Sequence, residues 1–241
     1  CAFRDAAVYG EQAGADFILI ETMSDTYEAK AAILAAKENT HLPVFVTMVF
    51  DERKKLLTGG DMAAAVAMIE GLGADALGMN CGLGPSQMKE FLSELRRYSS
   101  LPIIVNPNAG LPRSVNGNTV FDVAPEDFGK EMLEIAQGGA QLIGGCCGTT
   151  PQHIAAMIDR CKGIVPLPIE KHDFTVVSSY SHAVFFGQYP IIIGERINPT
   201  GKSRFKQALR EKDLDYILRE GITQQQNGAH ILDVNVGLPE I

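Results

Sequence analysis

Residues 138–151 read GGAQLIGGCCGTTP: two glycines, a short apolar run from Gln141 to Cys146, adjacent cysteines hemmed by glycines, then Thr150-Pro151. Glycine is the usual helix C-cap and proline favours the first helical position, so the stretch reads as helix end, strand, loop and helix start. The same syntax recurs along the chain. Gly-Ala precedes an apolar run at Gly14-Ala15, Gly73-Ala74, Gly139-Ala140 and Gly228-Ala229. The runs Phe17–Thr22, Val44–Phe50, Ala76–Cys81, Ile103–Asn108 and Gln141–Cys146 begin roughly 30 residues apart, the length of a βα unit. They are continuously apolar rather than alternating, as strands of a parallel sheet covered on both faces should be.

Helix starts fall between these runs. Asp25 and Glu28 have the spacing of a capping box, with Ala29, Ile33 and Leu34 as an apolar stripe. Asp61 precedes Met62, Ala65, Met68 and Ile69; Pro85 and Pro125 open two further patterns. Repeated βα units are compatible with a barrel and with a doubly wound sheet alike. Residues 164–190 break the rhythm with Pro166, Pro168, Pro190 and a Ser-Ser-Tyr-Ser stretch, and read as an inter-domain linker. A new rhythm follows: strand Ile191–Ile197, helical Ser203–Asn227 and strand His230–Val236. The expected organisation is therefore a domain over 1–163, a linker over 164–190 and the opening of a second domain over 191–241.

The 241 residues carry a net charge of -8, with 46% hydrophobic and 21% charged residues. That is globular composition without a basic footprint, so nucleic acid is not an expected partner. No run approaches the roughly 18 apolar residues of a membrane helix, so no membrane is expected either. The first residue is Cys1, the opening CAFRDAAVYGEQ reads as a helix under way, and Ile241 follows an apolar strand. These ends read as cuts through a larger protein. Five cysteines, an odd count with an adjacent pair and no secretion signal, argue against a disulfide framework and for a reducing, cytoplasmic setting.

Cys81 ends the third run in GMNCGLGP, and Cys146 and Cys147 end the fifth. In a parallel α/β domain the strand C-termini share one face, so thiols distant in sequence can meet there. Three thiolates leave one position of a tetrahedral Zn²⁺ open, the mark of a catalytic site. Neighbouring strand residues point oppositely, so both members of the pair can ligate only across a kink, for which Gly144, Gly145 and Gly148 give the freedom. The competing reading, cysteine as a small buried hydrophobe, suits the isolated Cys1 and Cys161 better.

GGCCGTTPQHI, NCG and the earlier IET resemble the homocysteine-binding domain of zinc-dependent homocysteine S-methyltransferases, over residues 1 to about 163. The resemblance implies a (β/α)8 barrel of which the five runs are strands four to eight. It implies Cys81, Cys146 and Cys147 as zinc ligands, Glu21 as partner of the homocysteine ammonium and Asn108 as a further ligand when substrate is absent. A free thiol has a pKa near about 8.5, and zinc would hold that of homocysteine as thiolate. His153, in the first turn after the cysteine pair, reads as a solvent or packing residue.

The second segment, IIIGERINPTGKSRF at 191–205 with GAHILDVNVG at 228–237, resembles the pterin-binding domain of methyltetrahydrofolate methyltransferases. That implies the first two strands of a second (β/α)8 barrel, with Glu195, Asn198, Ser203, Arg204, Asp233 and Asn235 toward folate. Lys202, Arg204 and Lys206 read either as partners of a folate tail or as a solvated helix face. The tandem resembles the N-terminal half of the cobalamin-dependent methionine synthase family. It implies methyl transfer from 5-methyltetrahydrofolate to cobalamin and on to homocysteine, with cobalamin on another module of the same parent. Two alternatives remain: a cobalamin-independent homocysteine methyltransferase fused to a folate reductase, and a structural zinc module.

Overall fold

The computed structural model describes residues 2–238; Cys1, read above as structural, lies outside them. Two compact units emerge: one runs to Asp173 and includes Val177–Ala183, the other comprises Phe174–Val176 and the chain from Val184 onward.

In the first unit, α1 (Ala2–Gln12), β1 (Ile18–Met23), α2 (Thr26–Asn39), β2 (Val44–Met48), α3 (Met62–Gly71), β3 (Ala76–Asn80), α4 (Pro85–Tyr98) and β4 (Ile103–Asn106) alternate as expected. Then come a hairpin, β5 (Arg113–Val115) and β6 (Asn118–Val120), and α5 (Pro125–Gln137), β7 (Leu142–Ile143) and α6 (Pro151–Cys161). The main sheet has the order β1-β2-β3-β4-β7 and every pairing is parallel. All strand C-termini therefore lie at one end.

The local signals explain the regularity. Gly14, Gly73, Gly139 and Gly228 all take positive φ, between 78° and 109°, just beyond a helix. This is the left-handed C-cap that releases the chain into the next strand, and a side chain there would strain it. Asp25 accepts the amide of Glu28 and Asp61 that of Ala64, while Pro85, Pro125 and Pro151 occupy first-turn positions. One apolar core joins Ile20, Val44, Val46, Met48, Leu77, Met79, Ile103 and Val105 of the sheet to Ile33, Met62, Phe91, Met132 and Ile135 of the helices. By alternation, Glu21 and Asn80 take the opposite face of the sheet.

Three features depart from the sequence reading. The β5–β6 hairpin occupies a stretch given no element, although its turn, Asn116-Gly117, has both φ values positive (53° and 78°), the signature of a two-residue hairpin. The helical stretch 203–227 is two helices, α7 (Ser203–Glu211) and α8 (Leu214–Gln226), broken at left-handed Lys212 and restarted by Asp213, which caps Tyr216.

The stretch 164–190 is also not a bare connection. It carries the paired strands β8 (Val176–Ser178) and β9 (Ala183–Phe185). Before them the chain lies back on the first unit: Glu170 pairs with Arg96 (2.6 Å), Gln141 donates to the Leu167 carbonyl (3.1 Å) and the His172 amide donates to Ser100 Oγ (2.9 Å). The turn Ser179–His182 docks on two helix starts. Tyr180 donates its hydroxyl to Asp25, Thr26 Oγ1 donates to the Tyr180 carbonyl, the Asp61 amide donates to the Ser181 carbonyl, and His182 Nδ1 lies 3.0 Å from Asp61.

In the second unit β10 (Ile193–Ile197) and β11 (Ile231–Val234) pair in parallel, Ile193 opposite Ile231 and Ile197 opposite Val234, with Phe205 and Ala208 buried. Among the described residues no helix is long and apolar enough to cross a membrane.

The Tyr180–Asp25 bond makes a pH-dependent prediction. The Tyr180 hydroxyl, with the Glu28 amide, holds the Asp25 carboxyl below its ordinary 3.8, and Asp25 holds the Tyr180 phenol above its ordinary 10.0. A depressed acid contributes stability above its unfolded pKa and loses it as pH falls through the folded one; a raised phenol contributes below its unfolded pKa and loses it as pH rises through the folded one. Tyr180→Phe should therefore lower Tm by a few degrees on a plateau between about pH 5 and 9, with the difference shrinking toward either extreme. Calorimetric melts of both proteins across pH check this; a pH-independent difference would show that the ring, not the bond, matters.

Candidate metal centre

Cys81 stands one residue beyond β3, with φ 60°, its amide bonded to the Asn106 carbonyl (3.1 Å). β7 stops at Ile143, and the loop 144–150 then runs across the strand ends rather than continuing the pleat. Hydrogen bonds fix that loop. The Cys146 amide donates to the Pro107 carbonyl (2.8 Å), the Ala109 amide to the Cys147 carbonyl (2.9 Å), Thr149 Oγ1 to the Cys146 carbonyl (2.7 Å) and the Cys147 amide to Asn108 Oδ1 (3.0 Å).

Freed from the pleat, the adjacent side chains converge. The three Sγ atoms lie within 4.8 Å of one another; Cys81 and Cys147 are 3.7 Å apart, Cys146 and Cys147 4.0 Å. The glycines permit this. A Cβ on Gly148, whose φ is +78°, would fall 2.3 Å from the Phe121 ring, and one on Gly145 would fall 2.5 Å from Thr149.

Burial and the neighbouring Cys81 disfavour ionisation of Cys146 and Cys147. Burial first, then Cys81, pushes the Cys146 thiol up to about 12, and its bond with Cys81 followed by burial raises Cys147. Three sulfurs at such distances ionise together only around a cation. The spacing suits one: a tetrahedral zinc with Zn–S near about 2.3 Å sets its sulfurs about 3.8 Å apart. Cys147 is exposed and the other two are half-buried, so the cluster has an open side.

Other expected residues fall as follows. Glu21 is exposed on β1, on the face shared with Asn80. Asn108 is buried at 3% exposure, and its side chain accepts the Cys147 amide, so it shapes the cysteine loop. His153 is buried, not solvated. Its Nδ1 accepts the Thr150 amide (3.1 Å), so Nε2 carries the proton and donates to the Val123 carbonyl (2.9 Å), anchoring α6. Cys161 is free, half-buried and packed against the core.

In the second unit Glu195 is exposed on β10 and meets Lys202 (3.2 Å), Ser203 opens α7, and Asp233 is exposed on β11. Asn198 and Asn235 accept the amides of Thr200 and Gly237. Arg204 pairs with Asp213 (3.1 Å) and lies over the Tyr216 ring, bracing α7 against α8.

Two site residues escaped the sequence reading. Asn80 and Thr22 are hydrogen-bonded to each other, and Asn80 reaches the Cys146 sulfur. An Asn closing an apolar run beside a cysteine is the signal that could have found the first.

A parallel α/β unit that gathers three thiols at its strand C-termini offers a set of ligand atoms suited to a metal ion. The family model for homocysteine S-methyltransferase matches residues 2–161, and the chain belongs to that family. It is 37% identical to a methionine synthase of Mycobacterium leprae and 35% identical to that of Mycobacterium tuberculosis, in each case over 98% of the chain. It spans about a fifth of their length (21% and 20%). The homocysteine methyltransferase MmuM of Escherichia coli is similar in structure. Its metallated form superposes with a TM-score of 0.52 at 26% identity, over 65% of this chain and 52% of that one; its apo form gives 0.52 and 26%, over 66% and 56%.

Gly148→Ala should displace the ligand loop and reduce metal uptake by an order of magnitude or more, since both φ and Phe121 forbid the methyl group. Gly163→Ala has a similar φ of +83° and open space around it. It should carry backbone strain alone and leave metal uptake unchanged. Metal content of the two proteins after dialysis checks the difference.

Proposed function

We propose that the chain is the zinc- and homocysteine-binding part of a cobalamin-dependent methionine synthase, together with the opening of its methyltetrahydrofolate barrel. The observation that carries this reading is the set of three Sγ atoms within 4.8 Å at the strand C-termini, with an open side. On this reading β1, β2, β3, β4 and β7 are strands four to eight of a (β/α)8 barrel over residues 1–163. Residues 164–190 form the connection, and β10 and β11 are the first two strands of a pterin-binding barrel from residue 191.

Cys81, Cys146 and Cys147 hold the metal. Zinc, when bound, supplies a fourth position at which the homocysteine sulfur is kept as thiolate, the nucleophile for methyl transfer. Glu21 takes the substrate ammonium, and fixing both ends of the amino acid orients the sulfur toward the donor. Asn108 keeps the Cys147 loop in register and offers its remaining lone pair when substrate is absent. The methyl group comes from 5-methyltetrahydrofolate by way of cobalamin on another module of the parent. In the second unit Glu195, Asn198, Ser203, Asp233 and Asn235 face the pterin, and Arg204 reaches a folate carboxylate by leaving Asp213. The open side of the cluster favours this reading over a closed structural zinc module.

Cys146→Ala in the intact parent tests it. Bound zinc should fall from one per chain to near zero and methylation of homocysteine should be lost, while Tm changes little and methyl transfer from 5-methyltetrahydrofolate to cobalamin continues. A structural zinc would instead lower Tm and stop both half-reactions. Full zinc with normal homocysteine methylation would remove the site from consideration.

A further inference from the structure

Asn80 is fully buried, at 0% exposure, at the end of β3 and immediately before the ligand Cys81. Its carboxamide makes three contacts. Oδ1 accepts the Thr22 amide (3.0 Å), and Nδ2 donates to Thr22 Oγ1 (2.7 Å) and lies 3.8 Å from the Cys146 sulfur. The orientation is settled by the bonds: a backbone N–H can only donate, so the oxygen faces Thr22 N and the amino group faces the hydroxyl and the sulfur.

The partners come from elements that are not neighbours. β1 and β3 are separated by β2 in the sheet, and Cys146 lies beyond β7 at the far edge. Asn80 thus ties three strand ends together. Thr22 needs such a tie. It is a β-branched residue at φ 65°, and the register between β1 and β2 slips between Ile20 and Met23. A bulge of this kind re-aims the side chains beside it, and the neighbour here is Glu21.

We propose that Asn80 is a positioning residue that couples the two halves of the centre. Its N–H toward Cys146 holds that sulfur in place as a metal ligand, and its two bonds to Thr22 hold the β1 bulge that aims Glu21. The second half rests on the reading of Glu21 as the substrate's ammonium partner; the first does not.

Asn80→Asp and Thr22→Val in the full-length parent separate the halves. Asp keeps an oxygen for the Thr22 amide and accepts from the Thr22 hydroxyl, but sets a carboxylate oxygen against the sulfur. Its affinity for Zn²⁺, measured by chelator competition, should fall about tenfold or more, and the thiolate-to-metal band of the Co²⁺-loaded protein should shift. Thr22→Val should bind metal within about twofold of the parent and show the same band, while KM for homocysteine rises several-fold with kcat largely kept. Asn80→Ala should combine both losses; circular dichroism checks each fold, and if Asp does not fold, Ala carries the metal test. Parental metal affinity and an unshifted band in the Asn80 variants would overturn the sulfur role. An unchanged homocysteine KM in Thr22→Val would overturn the coupling to β1. Failure of the parent itself to methylate homocysteine would strike the proposed function while leaving the metal result standing.

Discussion

The centre depends on one departure from strand geometry. A pleated strand sends successive side chains to opposite faces, and a sheet that ran on through Gly144 and Gly145 would turn Cys146 and Cys147 apart. β7 stops after two residues, and the loop is held by hydrogen bonds to Pro107, Asn108 and Ala109 and by an internal one from Thr149 to Cys146. Neighbouring segments at that end brace this loop. β4 hands over to it through Pro107–Ala109, Phe121 closes on Gly148, and α6 begins directly behind it under the anchor of His153. The large apolar core fixes where the strand ends stand; the loop decides that three sulfurs meet there.

Much of this was legible in the chain because the signals are local. A glycine one or two residues past a helix reports its own backbone angle, and Gly14, Gly73, Gly139 and Gly228 all behave as that rule requires. Asp25 and Asp61 cap helices because a short acceptor reaches an amide three residues on, whatever the rest of the fold does. The cysteine pair was legible for the same reason, since its glycines announce an irregular backbone. The β5–β6 hairpin belonged to this class too; Asn116-Gly117 carried its turn, but an exposed pair of three-residue strands has no apolar run to draw notice.

What stayed hidden is long-range and polar. Nothing near residue 80 says that its amide will meet Thr22 across an intervening strand, or a sulfur beyond residue 140. Arg204 shows the same. Its run with Lys202 and Lys206 reads either as a face for a folate tail or as a solvated helix face, and nothing in that run shows that Asp213 and Tyr216 will meet the guanidinium where α7 ends at Lys212. Asn108 was found for its place beside the cysteines, but its contact is with a backbone amide, which sequence does not display.

The family match ends at residue 161, whereas the first unit does not. Residues 164–173 and 177–183 also belong to it, and Tyr180, Ser181 and His182 sit on the starts of α2 and α3. The homocysteine methyltransferase unit is therefore not a cassette that can be excised at its recognised boundary. A recombinant piece ending near residue 163 would leave Asp25 and Asp61 without these partners and Arg96 without Glu170. A graft between relatives would have to carry the return segment along with the unit it clasps, so that segment and those helix starts are expected to change together in evolution rather than separately.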